Sequence, residues 1–330
     1  MTGAGANAEL VELGDLDELT RHVDRLCAAD DWDGLVDLRD RCRKALERGK
    51  QLWPAASHAE YRLALEAPGS WAALVLEPGA GHFSLGPLTE VTASTHGWAD
   101  LAPHVASSPL GALAAHERVV RGEDLTTDTR AVAMPPVLDL PLCLEPWEPA
   151  YPLAEYAPHE AHFPDVRLPT LERVTLPARV ERAGDAESCR ALVELASVWA
   201  TQSNGRAEAV AARGDAPAAI AALGVRVARI ARVELADAMA AMAWTAASGG
   251  AHGRRRGMAP GRFAAWWAAA AISGLLDHWP VPADELGDAA GDLRWYRWDA
   301  AEPVTGWSLR LAVEDPAEGL AWALAATDAT

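Results

Sequence analysis

Lysine is almost missing from this chain: of its 29 basic residues, only Lys44 and Lys50 are lysine. The rest are arginine, and 71 of the 330 residues are alanine. That is the bias of a GC-rich coding sequence, so abundant arginine by itself carries no function. Cysteine is also scarce. Cys27, Cys42, Cys143 and Cys189 stand far apart without a C-x-x-C pair, which excludes a metal knuckle and a disulfide scaffold and fits reduced thiols in the cytoplasm. No apolar run long enough to span a bilayer escapes interruption by charge, glycine or proline. The first ten residues have neither the basic nor the apolar region of a signal peptide. Forty-seven acidic residues give a net charge of −18, which opposes general binding of duplex nucleic acid.

What is present is a chain that is 50% hydrophobic, enough for a sizeable core and, at roughly 100–200 residues per domain, for two domains. From Leu16 to about Gly122 the pattern is helical. Asp15 caps a helix to Ala28, and Asp30 or Asp31 caps the next, which Gly49 stops. Leu35, Leu38, Cys42 and Ala45 share one stripe of that second helix. Pro54 opens a third helix to Glu66, and Ser70 caps a short one to Leu76. Further helices fit Thr89–Val105 and Pro109–Arg121. The four tryptophans Trp32, Trp53, Trp71 and Trp98 keep no fixed spacing, so a regular repeat is not indicated.

Residues 134–170 hold nine of the 22 prolines, which forbids long helices and gives an extended strap. After Leu171 the pattern mixes helix and strand. Arg173–Arg182 alternates as a half-buried strand, and Ala186–Ser203 reads as helix. Val225–Val233 fits either a strand or the start of a helix running to Ala247, and its alanines favour helix. A helix follows from Pro260 to Leu276. Leu293–Asp299 and Trp307–Glu314 make an antiparallel pair, and Pro316–Thr327 reads as a closing helix. The expected fold is α+β and helix-rich: an all-α lobe over residues 10–130, a Pro-rich connector over 131–170, and a smaller mixed lobe over 171–330.

The strongest local feature is S-G-G-A-H-G-R-R-R-G-M-A-P-G-R, residues 248–262. From Ala238 to Leu276 there is no acidic residue, against four arginines and one histidine. Glycines here, Gly253 and Gly257 among them, let backbone approach a ligand. A helix N-terminus beginning near Pro260 favours an anion. Arg254, Arg255, Arg256 and Arg262 are therefore expected to clamp an anionic small molecule or an acidic partner, with Trp266 stacked one turn beyond Arg262 and His252 as a proton donor. The competing reading is a solvated loop, or an internal dock for acidic segments such as Asp284-Glu285. No Walker loop or dinucleotide fingerprint is present, and the sequence names no cofactor.

A second constellation is E-P-W-E-P-A-Y, where Glu145 and Glu148 share one face of an extended segment with Tyr151. It reads as an acid/base pair or as a strap pinned by aromatic side chains. The histidines are scattered. His159 and His162 bracket Glu160, but H-E-A-H lacks the spacing of a zinc helix, so no metal site is expected.

Arg254–Ala259 is loosely similar to the R-x-x-G-x-[GA] segment of the acyl-CoA N-acyltransferases. That resemblance implies an acyl-CoA-dependent transferase, and the rival functional reading is a transferase using the same loop with an acyl-CoA or a nucleotide. It departs from the family because helix, not strand, precedes the segment and Pro260 interrupts it. The stretches from S-G-G-A-H-G to F-A-A-W-W and from L-R-W-Y-R-W-D to A-L-A-A-T-D resemble DUF6183, a family of actinobacterial proteins, over about Leu192–Thr330. This implies an intracellular setting and no mechanism. A third functional reading is a helical interaction scaffold with no small-molecule site.

Overall fold

A computed structural model describes residues 3–164, 169–302 and 305–329. The protein is α+β and helix-rich, and its chain divides into two compact units.

The amino-terminal unit comprises residues 3–119, Glu123–Val137 and Ala154–Phe163. Its helices are α1 (Gly3–Leu13), α2 (Leu16–Ala28), α3 (Trp32–Ala45), α4 (Trp53–Glu66), α5 (Gly69–Ala72), α6 (Leu88–Thr95), α7 (Trp98–Leu101), α8 (Pro109–Val119) and α9 (Thr129–Val132). Two expected caps are in place. The Asp15 carboxylate accepts from the N–H groups of Asp17 and Glu18, and Asp31 accepts from Gly34, satisfying donors that a helix start leaves open. The expected stripe of α3 is buried and joins Leu19, Val23, Ala59 and Leu63 in one core. Each buried leucine or valine contributes about 1.5–3 kcal/mol. Two expectations shift. The short helix after Pro68 begins at Gly69 with no side-chain cap. The helix drawn over Thr89–Val105 breaks at His96-Gly97 into α6 and α7.

Inside the Pro-rich stretch lies a hairpin that its composition hides: β1 (Glu155–Ala157) and β2 (Glu160–His162), antiparallel. It is fixed to α4, because the Tyr61 hydroxyl donates to the Ala157 carbonyl at 2.6 Å and the rings of Tyr61 and Tyr156 meet edge to face.

The carboxy-terminal unit comprises Val120–Gly122, Leu138–Leu153 and the described residues from Pro164 onward. Its elements are β3 (Glu172–Val174), β4 (Arg182–Ala183), α10 (Ala186–Glu194), α11 (Ser197–Gln202), β5 (Arg206–Arg213), α12 (Ala216–Ala222), β6 (Ala228–Val233), α13 (Leu235–Ala247), α14 (Met258–Ile272), α15 (Ala283–Asp292), β7 (Arg294–Asp299), β8 (Trp307–Asp315) and β9 (Leu320–Asp328). The strands form one antiparallel sheet in the order β3-β6-β7-β8-β9-β5-β4. Strand alternation gives the sheet two buried faces. One packs Trp298, Ala312 and Ala323 against Ala216, Ala219 and Ile220 of α12. The other carries Trp295 and Trp322, whose indole N–H groups bond the Ala290 carbonyl and the Asp185 carboxylate.

Four sequence expectations fail here, each for a physical reason. Residues 173–182 are not one strand, since Pro177 removes a ladder donor in the middle. The two ends become β3 and β4 on opposite edges of the sheet. Residues 228–233 are strand rather than helix, paired on both sides by β3 and β7. The closing segment is not a helix but β9, paired along its length with β5 and β8. There the ladder outweighs the helix preference of alanine, and small side chains let α12 approach the sheet. Ala186–Ser203 is two helices, α10 and α11. The β7–β8 pair is antiparallel as expected.

Candidate functional site

The Gly/Arg-rich turn joins α13 to α14, and most of its amide donors are spent within the protein. The N–H of Ala251 donates to the Asp328 carboxylate at 2.6 Å, that of His252 to the Ser203 hydroxyl at 3.2 Å, and that of Arg254 to the Gln202 side-chain carbonyl at 3.2 Å. The N–H of Arg256 donates to the Ala247 carbonyl at 2.7 Å. The glycines serve this internal packing. Gly250 has φ +68°, and a Cβ there would collide with the Asp328 carboxylate. Gly249 and Gly253 pack backbone to backbone, and Gly257, at φ +102°, turns the chain into α14. The anion held by this turn is thus Asp328, which is fully buried.

The arginines divide. His252, Arg254 and Arg256 are exposed, and the Arg255 guanidinium stacks 4.6 Å from the Trp244 ring centroid. Arg262 is not a ligand clamp. It is 1% exposed, and its Nε and Nη2 donate to the two oxygens of Glu148 at 2.7 and 2.6 Å. Its Nη1 and Nη2 also donate to the carbonyls of Pro141 and Cys143. Four of the five guanidinium donors are therefore consumed. Trp266 does stack on Arg262, at 5.4 Å from the ring centroid, but its indole N–H donates to the same Glu148 oxygen at 2.8 Å.

The second constellation falls at this same place. Glu148 also accepts from the Tyr151 hydroxyl at 2.6 Å and from the Glu145 amide at 3.0 Å. Burial pushes the Glu148 carboxyl up, but the Arg262 hydrogen bonds and charge, with the Glu145 amide and Tyr151 hydroxyl, outweigh it and hold the group below the usual glutamate range. Burial and the Glu148 charge raise the Tyr151 phenol well above its ordinary value. Glu145, expected to pair with Glu148 for acid/base work, contributes its backbone amide to the Glu148 carboxylate, which is a buried anchor held by Arg262. Glu148 and Asp328 are two acidic partners of the basic segment, while Asp284 and Glu285 are exposed.

A cleft of about 720 Å³ opens at one end of the α12 face of the sheet, beyond the turn that follows α12. That volume is within the range of small-molecule sites, roughly 300–1,000 Å³. Arg206 at the start of β5, Arg226 in the turn and Arg310 on β8 line it, with Glu208 and Glu302 as its acidic residues. Trp298, 2% exposed, forms part of its wall, and the Arg310 guanidinium lies 5.3 Å from the centroid of that indole. The Nε and Nη1 of Arg310 are buried without a hydrogen-bond partner among the described residues. Sequence reasoning missed these residues because they lie on three separate segments. The signal available was Arg310 itself, an arginine inside the apolar run W-S-L-R-L-A-V, but its meeting with Trp298 depends on strand pairing.

Compared with known proteins, the chain matches the sequence profile of DUF6183, described as a family of unknown function, over residues 17–330. It belongs to that family, and the relationship covers the helical half as well as the segment from Leu192 onward. No curated protein and no solved structure matched the chain.

Proposed function

We propose that the carboxy-terminal unit binds an anionic small molecule, with the cleft of Arg206, Arg226 and Arg310 as its site. The observation that carries this reading is Arg310: two of its donor nitrogens are buried, unpartnered among the described residues, and beside a cleft. A buried donor without an acceptor costs about 1–3 kcal/mol, and an anion would offset that cost. Three arginines against two glutamates leave the lining positive in a chain of net charge −18, and the fork of a guanidinium suits phosphate or carboxylate. The Gly/Arg-rich turn supports the same function less well, because its amides and Arg262 are engaged internally. The proposed setting is the cytoplasm of an actinobacterium, supported by the arginine- and alanine-rich composition and by four cysteines that stand outside any disulfide.

The test is a thermal-shift and calorimetric screen of the full chain with inorganic phosphate, ATP, coenzyme A and glucose 6-phosphate. At least one should raise the melting temperature, because a ligand of the native state stabilises it. Arg310→Gln and Arg226→Ala should abolish that shift, and Arg256→Ala should preserve it. No shift with any probe, or a shift lost in Arg256→Ala and kept in Arg310→Gln, overturns the reading.

A further inference from the structure

The fold assembles three side chains that the sequence keeps apart. In the amino-terminal unit, Asp24 on α2, His58 on α4 and His159 in the turn of the β1–β2 hairpin each offer one ligand atom, and these atoms all lie within 4.8 Å of one another. The Asp24 Oδ1 is 3.4 Å from His159 Nε2 and 3.9 Å from His58 Nε2. The two imidazoles stack, with centroids 5.5 Å apart and planes 21° from parallel. His58 Nε2 is buried and has no hydrogen-bond partner among the described residues. We propose that Asp24, His58 and His159 form a binding site for a divalent transition-metal ion of the zinc type, with its remaining position open to solvent.

The distances fit. Two ligands about 2.1 Å from a tetrahedral ion are about 3.4 Å apart, so the Asp24–His159 separation already matches, and His58 needs only a small approach. The chemistry fits as well. Two imidazole nitrogens and one carboxylate suit zinc, cobalt or nickel, whereas magnesium and calcium prefer an all-oxygen shell.

The Arg62 charge opposes that of a bound cation, and its own partners answer it. It pairs with Asp24 Oδ1 and also donates to both oxygens of Glu66, at 3.0 and 2.9 Å. Two carboxylates against one guanidinium leave the cluster negative. Arg62 thereby orients the Asp24 carboxylate, as groups behind metal ligands commonly do. His159 is 61% exposed and supplies the entry path, while the Tyr61–Ala157 hydrogen bond fixes the hairpin that carries it. A bound ion would clip that hairpin to α2 and α4. This site is separate from the arginine-lined cleft and does not depend on it.

The test titrates Co²⁺ and Zn²⁺ into the tag-free full chain, reading cobalt absorbance, stoichiometry and melting temperature. One ion should bind, with the visible bands of nitrogen-coordinated cobalt and a rise in melting temperature on adding Zn²⁺. Asp24→Asn and His159→Ala should each weaken binding by about tenfold or more. His159 is exposed, so its variant keeps the fold, and a circular dichroism spectrum matching that of the unsubstituted chain checks this. His162→Ala, on the same hairpin, should bind as the unsubstituted chain does. Absence of saturable binding, or equal affinity in His159→Ala and Asp24→Asn, overturns the proposal.

Discussion

Glu148 and Arg262, 114 residues apart, form an ion pair at 2.6 Å that is closed to solvent, with side-chain exposures of 0% and 1%. The pair joins the Pro-rich strap to the face of α14 within one unit. Trp266 and Tyr151 donate to the same carboxylate, and the Trp147 and Trp266 rings pack with centroids 4.8 Å apart. Taking two charges out of water is costly, so the pair holds only while its hydrogen bonds stay complete.

The costs of removing the two partners should therefore not add. Arg262→Met or Glu148→Leu alone leaves a buried charge uncompensated and is expected to lower unfolding stability by about 3–5 kcal/mol. The double variant should lose clearly less than the sum of the two. Urea unfolding of the four proteins measures this coupling.

Acid should release the same anchor. The Glu148 pKa is lowered in the folded chain, while in the unfolded chain it is about 4.3. A depressed carboxyl contributes stability that is complete above the unfolded value and is lost as pH falls through the folded one. Stability measured from pH 7 down to pH 3 should fall steeply below about pH 4, and Glu148→Gln should flatten that part of the profile. An unchanged profile in Glu148→Gln would assign the acid loss to other carboxylates.

Arg297 should behave in the opposite way to Arg262. It is 7% exposed on β7, its Nε is buried with no partner among the described residues, and burial pulls its pKa down to about 10. A guanidinium pulled largely out of water, with its Nε lacking a partner among the described residues, opposes folding. Arg297→Met, which keeps the apolar stem, is expected to raise stability by about 1–3 kcal/mol, read as an increased urea midpoint at unchanged slope.

Thiol reactivity should separate the cysteines. Burial pushes the Cys27 and Cys42 thiols up to about 12, and that of Cys189 to about 11. The thiolate is the reactive species, so Cys27 and Cys42 should resist iodoacetamide at pH 8 in the native chain and react fully in denaturant. Mass spectrometry of the alkylated peptides provides the readout.

Local signals were legible wherever they are written in consecutive residues. Asp15, Asp31 and Gly49 fixed the limits of two helices, Pro54 opened a third, and the β7–β8 pair was visible from two strand-like runs joined by a short loop. The α13–α14 turn was likewise found from its glycines, and Trp266 from its helical spacing beyond Arg262. Only tertiary structure decided what those features do. Alanine-rich β9 became a central strand because β5 and β8 supply ladder bonds on both sides, which outweigh its intrinsic preference for helix. Arg262 became an internal anchor because the strap delivers Glu148 to it, and the turn closed on Asp328 from the last strand. The Arg310 cleft and the Asp24–His58–His159 cluster each gather residues from separate segments. Composition and periodicity act along the chain, whereas a partner for a charge is set by distance in space.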